Sequence, residues 1–342
     1  MTALLSTPKE TVVADLKEAR FRTYLRKRGL KAKAIDASVN AVKEFETYLK
    51  TKKRTLDSAS VTALRAYISL LIKDGKNSQD RLVAIARYGY VEKMNELYVY
   101  LASILGATNV LPDISARLAA VAGEETRRKV YEGIVFPPIG APQSNYPPLT
   151  KKILERMESE LPQTTCREVL TWNYHGVPAA AFKDAKNRFK KSTSIDEYLK
   201  GEHALLVEEL EGCMKEGRLW YEQEITPEVV AFVKNNQEII TGVRRGDKII
   251  KVKIPYAPKQ FLEEKDPTMK GYYACHCQLV RAALREGKPR IPSTFCYCSA
   301  GFEKVHFDVI FGEPVEVEVL ETILNGDPCC RFAIQIPKSK LK

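Results

Sequence analysis

STFCYCSAGFEKVHFDVIFGEPVEVEVLETILNGDPCCRFAI, residues 293–334, carries four cysteines, and GYYACHCQLVRAAL, residues 271–284, carries two more just upstream. Apolar and β-branched residues recur over Val315–Ile323 and again over Cys330–Ile336, which predicts two strands. Asn325, Gly326 and Asp327 between them supply turn chemistry, so the pair is expected to close as an antiparallel hairpin. Gln278–Glu286 and Ser299–Phe311 have helical spacing, whereas Lys248–Ile254 and Gly271–Cys275 read as further short strands. The C-terminal part is therefore expected to be an α+β domain with a small antiparallel sheet.

Working outward, Leu149 to about Asn236 is mostly helical, with two acidic-capped amphipathic stretches in SIDEYLKGEHALLVEELEGCMKEG. Before it, VFPPIGAPQSNYPP (135–148) contains five prolines, cannot continue a helix, and is expected to be a linker. From Lys9 to about Glu132 apolar residues recur at three- and four-residue spacing, as in Phe21, Tyr24, Leu25 and then Val39, Val42, Phe45, Leu49. Four or five helices and no strand are expected, with Ser58 or Ser60 capping the segment that ends at Lys73. The predicted organisation is an all-α bundle over 1–134, the linker over 135–148, and a helical segment plus the cysteine-rich α+β domain over 149–342.

The chain has 342 residues, 44% of them hydrophobic, enough to bury at least one core. No run of 18 or more apolar residues and no secretory pattern is present, so a cytoplasmic protein with no membrane partner is expected. The formal charge is +11, and residues 1–135 hold 24 Lys and Arg against 15 Asp and Glu. Such asymmetry suits a module that binds a polyanion, as it suits a solvated basic helix surface.

Eight cysteines without a secretory signal point to thiols used for metal, redox or nucleophilic chemistry rather than to a disulfide framework. Cys166 and Cys213 stand alone and read as small buried apolar residues. Cys275 with Cys277, and Cys296 with Cys298, form two Cys-x-Cys pairs. If each lies at a strand end, both thiols of a pair leave by one face, while His276 leaves by the other. Four thiolates, with Cys330 as a fifth, could then bind zinc, although Cys-x2-Cys is the usual structural spacing. A nucleophile needs one thiolate and a nearby base, for which Cys298 and His306 are the candidates. His276, Arg281, Arg285 and Arg290 are candidate ligand-binding residues, the arginines as partners for a carboxylate.

The stretches FRTYLRKRGLKAKAIDASVNAVKEFETYLK and DSASVTALRAYISLLIKDGKNSQDRLVAIARYGYV resemble the SAM-like core-binding domain of phage integrases and other tyrosine recombinases, over about residues 18–105. The resemblance implies a helical module that clamps duplex DNA by its backbone, here through Arg26, Lys27, Arg28, Lys31, Lys33, Lys52, Lys53 and Arg54. None of the four histidines is followed by the His-x-x-Arg spacing of a recombinase, so recombinase activity is not expected. In the C-terminal part, a cysteine before a helix, Gly312–Val315, Gly326 with Asp327, and Cys330–Ile334 resemble the signature shared by 4-vinyl reductase domains and the L-2-amino-thiazoline-4-carboxylate hydrolase family. That resemblance implies a compact α/β domain with a small-molecule pocket and cysteines able to bind metal.

Three functions follow as expectations. The first is a ligand- or metal-responsive cysteine-rich binding protein joined to a basic DNA-binding module. The second is a cysteine-dependent hydrolase of a small thiazoline-like compound, and the third is a zinc-stabilised adaptor. A homo-oligomer is left open.

Overall fold

The computed structural model describes residues 16–106 and 108–341. Residues 9–15, where the helical reading began, lie outside the described residues. The chain forms two compact units, one running to Leu105 and including Pro138–Ala141, the other comprising Gly106–Pro137 and the chain from Pro142 onward.

The first unit consists of α1 (Glu18–Lys27), α2 (Ala32–Thr51), α3 (Val61–Lys73), α4 (Gln79–Val91) and α5 (Asn95–Leu105), with no strand among the described residues. In α2 the buried residues Ile35, Val39, Val42, Phe45 and Leu49 recur every three or four positions, so one stripe faces the core. Ser60 begins α3 by accepting from the Ala63 N–H at 3.3 Å, and Ser78 begins α4 by accepting from the Arg81 N–H at 3.3 Å. Phe21, Leu25, Phe45, Leu64, Leu82 and Leu101 are fully buried at the centre.

The second unit starts with α6 (Val110–Ala122), α7 (Glu124–Tyr131), α8 (Pro147–Glu160), α9 (Gln163–Leu170), α10 (Lys183–Lys191), α11 (Ile195–Glu216) and α12 (Pro227–Lys234). Then come β1 (Val243–Arg245), β2 (Lys248–Val252), α13 (Pro258–Glu263), α14 (Pro267–Ala274), α15 (Arg281–Glu286), α16 (Tyr297–Phe311), β3 (Val317–Glu321) and β4 (Arg331–Gln335). The four strands make one antiparallel sheet in the order β1-β2-β4-β3. A helical unit followed by a helical and α+β unit with a small antiparallel sheet is the fold class expected from the sequence.

Three details depart from the sequence reading. The units do not divide at 135–148. Val110, Leu111, Ile114, Leu118 and Val130 of α6 and α7 join the core formed by Ile153, Met157, Val169 and Leu170, so these helices belong to the second unit. The proline-rich segment is not a free linker either. Its Ile139 carbonyl accepts from Asn77 Nδ2 at 2.9 Å, and Gly140, at φ +87°, sits so close to the first unit's core that a Cβ would stand 2.8 Å from Ile68. Pro147 is then used as the first residue of α8. Finally, Gly271–Cys275 is not a strand: Asp266 accepts from the Met269 N–H at 2.8 Å and Pro267 opens the helix, a capped start that overrides the β-prone tyrosines.

One stretch, Asn95–Ala122, is long and apolar enough to span a bilayer by composition. Its Leu97, Leu101 and Ile104 are buried in the first core and its Val110, Leu111, Ile114 and Leu118 in the second.

Strand β2 and helix α16 face each other across the core that holds Ile249, Phe332, Ile334, Phe307 and Ile310. Within it Lys251 Nζ meets Glu303 Oε2 at 2.5 Å, with the two side chains only 7% and 2% exposed. On the same helix Gly301 has no room for a side chain, because a Cβ there would overlap the backbone O and N of Trp172. Gly301→Ala is therefore expected to destabilise the second unit by about 1–3 kcal/mol, since backbone must move to admit the methyl. Both tryptophans, Trp172 and Trp220, lie in this unit. Their fluorescence during urea unfolding reads its stability, and an unchanged midpoint would contradict the close packing.

Candidate functional site

The thiols gather at the junction of four segments. Cys275 caps the C-terminus of α14, and Cys277 lies in the turn that leads to α15, its carbonyl accepting from the Arg281 N–H at 2.9 Å. Cys296 ends the short 3-10 turn Ser293–Cys296, Cys298 sits in the first turn of α16, and Cys330 immediately precedes β4. Neither Cys-x-Cys pair is on a strand, so the expectation that each projects both thiols from one pleated face does not hold. In helical geometry positions i and i+2 diverge. Cys296 accordingly reaches one side, where its Sγ lies 2.8 Å from Thr322 Oγ1, and Cys298 the other.

The thiols act on one another's ionisation. Burial raises the pKa of every one of them: Cys275 and Cys298 to about 12, Cys277 and Cys296 well above the ordinary value, and Cys330 in the same direction. Secondary to burial, Cys275, Cys296 and Cys298 each push Cys277 up, and Cys330 pushes up both Cys275 and Cys296. Cys275, Cys277 and Cys296 are thus each coupled to three other thiols. Cys329 looks elsewhere; its Sγ is 3.1 Å from Glu321 Oε2, and burial followed by that carboxylate holds it at about 12.

Facing the thiols is one cation that the sequence reading did not single out. Lys253 Nζ donates to Ser299 Oγ at 2.9 Å and sits 5.6 Å from the centre of the Phe302 ring. It opposes the upward shifts at Cys275, Cys296, Cys298 and Cys330, favouring their thiolates. Among the described residues no carboxylate lies within 4.0 Å of it. The available signal was KVK at 251–253, two lysines at alternate positions of a strand whose other member on that face, Ile249, is buried.

The remaining candidates separate. Cys298 and His306 both lie on α16, eight residues and so about 12 Å of helix apart, and cannot form a nucleophile and base pair. His306 instead stacks on Phe182 at 4.9 Å, and burial, helped by Lys251, lowers its pKa to about 3. His276 Nε2 donates to the Ile254 carbonyl at 2.6 Å; burial, then Lys253, lowers it to about 3, so it is a neutral, fixed donor. Arg281 is buried between the Tyr256 and Tyr272 rings, 4.0 and 4.3 Å from their centres, and donates to the Tyr272 carbonyl. Arg285 and Arg290 are exposed, so the three arginines do not converge on one carboxylate.

In the first unit, Arg26, Lys27, Arg28, Lys31, Lys33, Lys52, Lys53 and Arg54 are all exposed, and among the described residues none of them lies within 4.0 Å of a carboxylate. They form two groups rather than one. Lys31 and Lys52 flank opposite ends of the 20-residue α2, which places the groups about 30 Å apart.

The model of a family described as a family of unknown function, DUF6144, matches residues 260–341, a span that contains all six clustered cysteines but not Lys253. No curated protein and no solved structure matches the chain.

The donor set is of the soft kind that zinc or copper(I) accepts. Its spacing is not: among the described residues no three His, Cys, Asp or Glu side chains are grouped closely enough to hold one metal ion. Among the described residues the cluster is a set of thiols with raised pKa beside the Lys253 cation.

These shifts have a pH signature. Thiols whose folded pKa is raised retain their contribution below about 8.5, the unfolded value, and lose it as pH rises toward 12. Imidazoles lowered to about 3 retain theirs above about 6.5 and lose it as pH falls toward 3. The urea midpoint of the second unit should be highest between about pH 6.5 and 8.5 and fall on both sides. A profile that is flat well beyond both limits would contradict the burial of these groups.

Proposed function

We propose that the protein is a cytoplasmic, ligand-responsive binding protein, with the thiol chamber of the second unit as the responding part and the basic helical unit as a DNA-holding part. The observation that carries the reading is the charge state of the chamber. Lys253 acts on four of the raised thiols, Cys275, Cys296, Cys298 and Cys330, and on two lowered imidazoles, His175 and His276, and among the described residues it has no carboxylate within 4.0 Å. A half-buried cation without a counter-ion is costly, and a ligand bearing negative charge, or a thiolate formed in place, would complete it. The signature shared with 4-vinyl reductase domains supports a small-molecule pocket in this part of the chain. The hydrolase reading would need a base other than His306, which lies about 12 Å of helix from Cys298.

The DNA half rests on the resemblance to the core-binding domain of tyrosine recombinases and on the eight exposed cations without ion-pair partners. Contacts of that kind go to phosphates and do not read sequence. Labelled duplex should bind the full chain weakly, and if about four phosphates are contacted the affinity should fall about a hundred-fold between about 50 and about 200 mM salt. Replacing Lys52, Lys53 and Arg54 with Gln should reduce that salt slope. Absence of binding at low salt would remove this half of the reading.

The chamber is tested by melting the freshly purified, reduced protein with and without a chelator, alongside Cys277→Ser and Cys296→Ser. The expected result is no effect of the chelator and a lowered melting temperature for Cys277→Ser, whose thiol is coupled to Cys275, Cys296 and Cys298. A large chelator-induced drop, together with stoichiometric zinc in elemental analysis, would replace the ligand-responsive reading with a structural metal.

A further inference from the structure

A second concavity lies in the same unit, on another face of the thiol-bearing helix. It is a cleft of about 610 Å³ walled by α6, α9, α16 and the edge strand β3, a size in the range of small-molecule sites. Two guanidinium groups stand in it, each parked on an aromatic ring. Arg117 lies 4.1 Å from the centre of Trp172, and Arg167 lies 4.9 Å from the centre of Tyr297. A ring under the guanidinium plane fixes the group while leaving the N–H fork at its edge free to donate. Lys248 and Lys304 complete the basic lining.

Most of this charge is already answered, and the exceptions are informative. Lys304 is held by Asp308 at 2.8 Å, Lys248 by Glu318 at 3.3 Å, and one end of Arg117 by Glu168 at 3.6 Å. The Nε of Arg117 is nonetheless buried without a hydrogen-bond partner. Arg167 has no carboxylate within 4.0 Å among the described residues. The wall's remaining carboxylate, Glu316, is exposed. A buried donor without an acceptor and a stacked arginine without an anion, in one cleft, are what an oxyanion would satisfy.

We propose that this cleft binds a small organic oxyanion, a carboxylate or a phosphate ester, through Arg167 and Arg117. Tyr297, the ring beneath Arg167, lies between Cys296 and Cys298, so occupancy bears directly on the first turn of α16. The site thereby names a ligand class for the ligand-responsive reading and rests on that reading only for its consequence, because binding itself is measured without DNA or thiol chemistry.

The test is calorimetric titration of the full, reduced chain with inorganic phosphate in one arm and benzoate in the other, which separates the two sources of oxyanion. Saturable binding is expected in at least one arm at millimolar concentration or below. Arg167→Gln should weaken it about ten-fold or more, and Arg167→Lys should not restore it, since lysine lacks the planar fork. Arg285→Gln, on an exposed helix surface of the same unit, should leave it unchanged, which separates a specific site from general basicity. Circular dichroism of the Arg167 variants checks that they fold; if Arg167→Gln is not folded, Arg117→Gln carries the same expectation. Absence of saturable binding in both arms, or equal binding by the Arg167 and Arg117 variants, overturns the proposal. Failure here together with intact salt-dependent DNA binding would leave the two-part reading standing with a different ligand.

Discussion

The ion pair between Lys251 and Glu303 is the contact on which the geometry of the C-terminal unit turns. Both side chains are almost wholly buried, so each charge is viable only while the other is in place, and removing one partner of such a pair typically costs roughly 3–5 kcal/mol. The pair does more than hold β2 to α16. Successive same-face residues on a strand and residues one turn apart on a helix are separated by similar distances, near 6–7 Å in both cases. With Lys251 locked to Glu303, Lys253 two positions along the strand falls opposite Ser299 four positions back on the helix, and the two hydrogen-bond at 2.9 Å. Lys253 is thus placed by a rung one step away from it.

Glycine at 301 serves the same end from the other side of the helix. The Trp172 backbone approaches α16 where no Cβ could be accommodated, which brings the chain after α9 close enough for Trp172 to receive Arg117 and for Tyr297 to receive Arg167. The chamber and the oxyanion cleft are therefore two faces of one element. A helix clamped by a buried ion pair on one side and by backbone on another is a rigid base from which small displacements at its first turn reach both sites.

The burial that makes this unit stable also sets its chemistry. Thiols pushed up by desolvation are poor nucleophiles at neutral pH, and imidazoles pushed down are poor proton acceptors beyond the one hydrogen bond they already make. In the first unit Arg26, Lys27, Arg28, Lys31, Lys33, Lys52, Lys53 and Arg54 are exposed and, among the described residues, have no carboxylate within 4.0 Å, so their charge costs little there.

Much of this was written in local pattern. The three- and four-residue spacing of Ile35, Val39, Val42, Phe45 and Leu49, the Ser60 cap, the hairpin around Gly326 and the crowding of six cysteines into the last part of the chain are all readable from neighbours in sequence, because helix and strand periods directly report which face is buried. The pairing of elements was not. Tyr272 and Tyr273 look like strand residues until Asp266 and Pro267 start a helix beneath them, and α6 and α7 look like part of the first bundle until their apolar stripes find the core of the second. By itself the sequence determined the classes of the two parts, the short antiparallel sheet and the presence of a thiol-rich segment. Only the tertiary structure decided that Lys253 acts on Cys275, Cys296, Cys298 and Cys330, that His306 is about 12 Å of helix from Cys298, and that Arg117 and Arg167 share a cleft. These are relations between residues far apart along the chain, and they depend on the register in which buried surfaces and one buried charge pair come to rest.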